Sequence, residues 1–245
     1  MNSPGPAQAT ALLDQLDGVI DSFEALQRYL DDVVHVVAAE VPGCDAVGIT
    51  LVADGKATTA AYTSAVTLDI DAMQYALEEG PCLEAHETKQ VVRAELDEAY
   101  DRWPRFTDAA QEEKTRALIA YPLLAGGTSV GALNLYARSA SALAGTDDVV
   151  MLAAGAHVGR VVAAGLKVIE ARELAGQLEQ ALASRAVIEQ AKGVLMGRHG
   201  FTEVEAFDLI KKQSQRTNIK LRLVARSIVD DATGSQLPSA GQAVD

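Results

Sequence analysis

Apolar side chains open the chain at a helical period: Leu12, Leu16, Val19, Phe23, Leu26, Leu30, Val33 and Val37 follow one another at alternating intervals of four and three. That alternation is the a/d stripe of a heptad, so the spacing predicts a helix over 11–40 seated against another long helix, as in a dimer, the alternative being a helix packed only on its own domain. His35 falls in the same face and reads as a structural histidine, and Pro42-Gly43 ends the helix. The period then shortens to two. Ala46 to Val52 and Ala57 to Thr63 read as strands joined by an Asp54-Gly55 hairpin turn. A short helix is expected from about Asp69 to Glu79, a turn at Gly80-Pro81-Cys82, a short strand from Val91, and loop and helix over Trp103 to Glu113. Leu118 to Leu124 and Val130 to Ala137 form a second hairpin around Ala125-Gly126-Gly127. These elements predict an α+β domain over 41–165, an antiparallel sheet flanked by helices.

From Asp147 the helical period returns, with Val162, Leu166, Ile169, Leu174, Leu178 and Leu182 three to five apart and no proline between them. Val149 to Ile169 is weakly polar, but His157, Arg160 and Lys167 fall inside it; the cost of charge at mid-bilayer makes it a soluble helix, and no membrane is expected. Residues 166–183 serve as a connecting helix. An all-α bundle of three helices follows over 184–231. Val187, Ile188, Ala191 and Leu195 mark the first helix, and Gly200 sits where a C′ glycine belongs. Thr202 with Glu205 is a capping box opening the second, whose inward positions are Ala206, Phe207, Ile210 and Ser214. Leu221, Val224, Ala225 and Ile228 line the third. Residues 1–10 and 232–245 carry little apolar content and are expected to be disordered.

Composition changes this picture in one respect. A net charge of -13 argues against a nucleic-acid partner, yet residues 184–231 hold nine Lys and Arg against six Asp and Glu, while residues 1–183 hold twelve against twenty-seven. Two cysteines, Cys44 and Cys82, provide neither a disulfide framework nor a four-cysteine zinc site, and the four histidines show no metal spacing, so no metal is expected. The first residues lack a basic and then apolar leader, which together with the cysteine usage points to the cytoplasm. Neither a GxSxG nor a P-loop is present, and acid pairs such as Glu78-Glu79 read as solvated helix faces, so catalysis is not expected.

The run SRAVIEQAKGVLMGRHGFTEVEAFDLIKKQSQRTNIKLRLVARSIV, from Ser184 to Val229, resembles the ANTAR domain of transcription antitermination regulators. Arg185, Ile188, Ala191, Lys192, Gly193, Leu195, Met196, Gly200, Glu205, Ala206, Phe207, Ser214, Asn218, Leu221, Val224 and Ala225 carry the likeness. Leu223 stands where such domains often have an acid. The strings PGCDAVGITL, QYALEEGPCLEA, RWPRF, AYPLL and GALNLYA between Pro42 and Ala137 resemble the GAF sensor domains that precede ANTAR domains. Together they imply an RNA-binding antitermination regulator recognising paired stem-loops in mRNA leaders, its GAF-like domain sensing a signal. No NKFDE-type string of cyclic-nucleotide binders is present, so a small-molecule effector is admitted without being identified, and no cofactor is named. The rival reading is a ligand or redox sensor whose C-terminal bundle binds a protein.

An RNA surface needs cations around an apolar core. On a helical wheel Arg185, Lys192 and Met196 fall together beside the buried stripe; Lys212 and Arg216, then Arg222 and Arg226, pair at four-residue spacing, with Lys211 and Lys220 at helix edges and Arg198 in the last turn. Gly193, costly in mid-helix, suggests close approach of a neighbouring helix or of an RNA backbone; Asn218 reads either as a base-reading amide or as a cap. Phe201 and Phe207 are the only aromatic residues of the block, and Phe207 belongs to the core pattern, so arginine planes and phosphate contacts are expected to dominate. The sensor pocket is expected around Cys82, Tyr75, Tyr121 and Asn134. Cys82 follows Glu78 and Glu79, acids that would raise a thiol pKa, and reads as a buried structural cysteine or as a redox sensor. Paired hairpins suit a two-fold protein, so a homodimer through the long helices is expected.

Overall fold

The computed structural model describes residues 20–234, and the chain divides into two compact units, Met1–Glu170 and Ala171–Asp245. Leu12, Leu16, Val19 and the expected disordered ends, save residues 232–234, lie outside the described residues.

In the first unit, helix α1 (Phe23–Glu40) starts at Ser22, whose hydroxyl accepts from Ala25 N at 3.2 Å. Strands β1 (Ala46–Ala53) and β2 (Lys56–Tyr62) form the first hairpin. Then come α2 (Ala65–Leu77), α3 (Pro81–Thr88), β3 (Val92–Glu95), α4 (Pro104–Glu112), β4 (Ala117–Ala125) and β5 (Thr128–Ala137). The five strands make one antiparallel sheet in the order β2-β1-β5-β4-β3. A 52-residue helix, α5 (Asp148–His199), begins in this unit, where Asp147 Oδ1 accepts from Val149 N and Val150 N, and its residues from Ala171 belong to the second.

Period-two alternation sorts the sheet into two faces. Val47, Ile49, Ile119, Tyr121, Leu123, Leu133 and Leu135 pack with α1 and with Met151, Ala154, Val158 and Val162 of α5; Ala46, Leu118, Ala120 and Tyr136 pack with Ile70, Ala85 and Phe106 of the shorter helices. The apolar stretch of α5, long enough by composition to cross a bilayer, is spent in part on this sheet: 39% of its most apolar window is buried in the protein's own fold.

Four expectations are corrected here. The heptad positions Leu26, Leu30, Val33 and Val37 are buried against the protein's own sheet, leaving of the described stripe only Phe23 exposed, at 57%. A sheet face offers α1 the same apolar strip that a second helix would, and an a/d spacing cannot tell the two apart. His35 lies outside that strip and is exposed, its Nδ1 2.7 Å from Asp31 O. The stretch at Gly80-Pro81-Cys82 is no isolated turn: Gly80 is the N-cap of α3, with Pro81 at the first helical position, where a missing N–H costs nothing. At φ 138° Gly80 adopts a backbone closed to other residues, and a Cβ there would lie 2.4 Å from Gln74 Oε1. Helix α2 also starts at Ala65 rather than Asp69.

The second unit comprises the end of α5, α6 (Glu203–Thr217) and α7 (Leu221–Thr233), the last reaching into the expected tail. The capping box forms as read: Glu205 N donates to Thr202 Oγ1 at 3.3 Å and Thr202 N to Glu205 Oε2 at 2.8 Å. Val187, Ala191, Leu195, Ala206, Ile210, Val224 and Ala225 make the core. Phe207, expected inside, is 39% exposed, and Phe201 packs against the core instead, 5.4 Å from the His199 ring. The fully buried contacts include Ala191, Ala206 and Ala225, a narrow strip that leaves a flanking ring outside.

Candidate sensor cluster and nucleic-acid interface

On the sheet face under α2 and α3 the chain buries a polar cluster. Helix α2 turns Thr67, Ile70, Asp71 and Gln74 inward on one stripe, and the strands add Thr50, Thr59, Asn134 and Tyr136. Asp71 is the centre. It accepts from Thr59 Oγ1 at 2.9 Å, Gln74 Nε2 at 3.3 Å, Asn134 Nδ2 at 3.5 Å and the Tyr136 hydroxyl. Burial outweighs these donors and pushes its carboxyl up to about 6. Thr50 Oγ1 receives Asn134 Nδ2 at 3.0 Å and Cys82 Sγ at 3.1 Å, and lies 2.8 Å from the Tyr75 hydroxyl. Asn134 Oδ1 is buried with no hydrogen-bond partner among the described residues.

Three of the four expected pocket residues, Cys82, Tyr75 and Asn134, therefore meet in one cluster. Tyr121 does not. An odd-numbered position of β4, it faces the opposite side of the sheet, where its hydroxyl donates to Asp148 Oδ1 at 2.7 Å beside Arg93. The Cys82 thiol is pushed up to about 12, as expected in direction but through a different agent: burial first and Asp71 second. Glu79 instead accepts from Phe106 N at 2.9 Å at the start of α4, and this bond, with Arg105, holds its carboxyl below the usual range. Asp71, Gln74, Thr50, Thr59 and Tyr136 escaped sequence reasoning; polar residues at 67, 71 and 74 in a helix otherwise apolar on that face were the available signal.

In the second unit Arg185, Arg198, Lys211, Lys212, Arg216, Lys220 and Arg226 are exposed and Arg222 half-buried; among the described residues none of these makes an ion pair. Lys192 is different. It is buried, its Nζ donating to Glu189 Oε2 at 2.7 Å and Glu203 Oε1 at 2.6 Å, so it ties the first turn of α6 to α5. The two carboxylates hold its ammonium pKa above the ordinary value, and it holds that of Glu203 below. A Cβ on Gly193 would meet open space, which removes a neighbouring helix as the reason for that glycine. Asn218 caps α6 at φ 54°, a conformation asparagine tolerates, while Ser214, half-buried rather than inward, donates to Ile219 O at 2.6 Å and closes the loop. Met196 is 40% exposed.

Three of the clefts among the described residues accompany these features. One of about 740 Å3 lies beside β3, lined by Arg93, Arg102, Trp103 and four carboxylates. In the second unit an apolar groove of about 600 Å3 runs along Leu195, Leu209, Ile219, Leu223 and Ile228, and a cleft of about 310 Å3 lies between α5 and α7.

Residues 24–163 match the GAF domain family and residues 176–229 the ANTAR domain family. No protein of curated function matches the chain. Among solved structures, the GAF domain from Acinetobacter phosphoenolpyruvate-protein phosphotransferase is similar at TM-score 0.52 and 14% identity, covering 69% of this chain and 98% of its own. That of the corresponding Coxiella burnetii protein is similar at TM-score 0.51 and 13% identity, covering 65% and 92%. At such identities these likenesses establish the fold alone.

Proposed function

Since the chain belongs to the GAF domain family and carries an ANTAR domain at its C-terminal end, we propose that it is an antitermination regulator that binds paired stem-loops in mRNA leaders under control of a signal read by its first unit. The observation that carries this reading is the coincidence of the ANTAR match with cations that are exposed, save the half-buried Arg222, and make no ion pair among the described residues, in a chain whose remainder is strongly anionic. Phosphate binding draws on such cations, and charge averaged over the whole chain hides them. The cationic set is Arg185, Arg198, Lys211, Lys212, Arg216, Lys220, Arg222 and Arg226, with Met196, Gly193 and Asn218 at its margins. Lys192 acts as a positioning residue, holding α6 against α5.

The protein works in the cytoplasm as a regulator and not as an enzyme. The signal, a small molecule, is read at the cluster around Asp71, where a buried amide oxygen has no partner among the described residues and the side chains are polar but uncharged save one. Helix α5 carries the consequence along its length. Two copies associate through it: Leu174, Leu178 and Leu182 recur every four residues and are 57%, 56% and 68% exposed, a seam that a second α5 would cover. Dimerisation then multiplies two single-loop contacts through effective concentration. The test is titration of full-length protein against tandem and single hairpin RNAs at several salt concentrations, with light scattering on the same samples. Tight, salt-dependent binding that prefers the tandem RNA and a two-copy mass are expected; indifference to all hairpins at low salt overturns the proposal.

A further inference from the structure

We infer that the cleft of about 310 Å3 between α5 and α7 is a subsite for one loop nucleotide turned out of an RNA hairpin, an inference that rests on the RNA-binding reading above. Of the three clefts, only this one combines cations with no carboxylate. In the cleft beside β3 the arginines are already committed, Arg93 to Asp148 and Arg102 to Glu84, and the apolar groove of the second unit has Asp231 as its charged group. Here Arg222 and Arg226, one helical turn apart on α7, line the same space, and among the described residues neither makes an ion pair. A guanidinium plane both stacks on a base and grips phosphate oxygens with two parallel donors.

The rest of the lining suits the same ligand. Val187, part of the core, and Leu223, 53% exposed, offer apolar surface to the face of a base. Gln180 places a side-chain amide, donor and acceptor together, at the rim, which matches the mixed edge of a nucleobase. Ser184 Oγ donates to Gln180 O at 2.7 Å and keeps its lone pairs free to accept. Gln180 precedes the basic block, so the connecting stretch of α5 would itself supply part of the RNA site, and a movement of that stretch would alter the grip on the loop directly.

The experiment uses full-length protein and a tandem hairpin RNA in which each loop position is made abasic in turn, with wild type, Gln180→Ala and Arg226→Ala. Gln180 and Arg226 are exposed, so both variants keep the fold, which circular dichroism verifies. At one loop position the abasic RNA should bind wild type about tenfold more weakly. Gln180→Ala should lose a similar factor on the intact RNA and no more on that abasic RNA, the mark of a shared contact, and Arg226→Ala should lose less on the abasic RNA than on the intact one, keeping only the loss of its phosphate contact. If the losses multiply independently at every position, or Gln180→Ala costs nothing, the subsite is wrong while RNA binding stands. If wild type binds neither intact nor abasic RNA, the underlying reading fails and the subsite with it.

Discussion

In the first unit Asp71 lies fully buried among neutral hydrogen-bonding side chains, whereas in the second the buried Lys192 is held by two surface carboxylates. The contrast follows from the amount of apolar structure around each. A five-stranded sheet with helices on both faces can enclose a whole polar network, and the enclosed acid answers to burial. Three short helices meeting through small residues enclose one ammonium group only by matching it with charges at the rim, and leave Leu209, Ile219, Leu223 and Phe207 exposed. The first unit encloses polar groups within its interior; the second is built mostly of surface.

The largest test of that contrast is truncation in the smaller core. Ile210→Ala should cost ~2–5 kcal/mol, comparable to the whole stability of a bundle of about fifty residues at roughly 0.05–0.15 kcal/mol per residue. Helical circular dichroism and RNA binding should both fall while the transition of the first unit persists on heating; a single transition shifted as a whole would show that the two units do not melt separately. Ile49→Ala, of the same size in the larger core, should lower the stability of the first unit by a similar amount and leave it folded.

Next in size is the response to acid, which should run in opposite directions. The Asp71 carboxyl rises from its ordinary 3.8 to about 6 on folding, so the folded state holds its proton more tightly. The stability it contributes is complete below about pH 4 and is lost as pH rises to about 6, a change of about 3 kcal/mol. Glu203 and Glu205 are held below the ordinary 4.5, so theirs is present above that value and lost as pH falls. Denaturant midpoints for wild type and Asp71→Asn from pH 4 to 7 should draw apart as pH rises, wild type losing stability relative to the variant, because the amide stays neutral where the carboxyl ionises; parallel curves would remove Asp71 as the buried acid. Local hydrogen exchange in α6 should accelerate as pH is lowered, once the intrinsic pH dependence is subtracted.

Smaller effects separate gripping from positioning. Arg216→Ala should reduce the salt slope of RNA binding by about 0.7–0.9, the signature of one lost phosphate contact. Lys192→Met should weaken affinity with that slope unchanged, because the ammonium already serves Glu189 and Glu203. Equal slope changes would return Lys192 to the RNA surface. The smallest effect is expected of Tyr121→Phe, which removes the bond to Asp148 for about 1 kcal/mol by thermal melting and leaves RNA binding untouched.

Periodicity and turn chemistry alone determined most of this architecture. The hairpins around Asp54-Gly55 and Gly126-Gly127, the long run of helix from Asp147 and the capping box at Thr202 are local, and local rules suffice for them. The ANTAR-like run was likewise legible, since its signal is a string of residue types at fixed spacing. Partnership was decided elsewhere. The heptad of α1 went to the protein's own sheet, Tyr121 to the face opposite Cys82, and Lys192 into ion pairs with the exposed Glu189 and Glu203, because which surface an apolar strip or a charge meets depends on residues outside the local pattern. Asp71 is the clearest case: its donors come from β2, α2 and β5, brought together by strand order and register, and no spacing along the chain records that meeting.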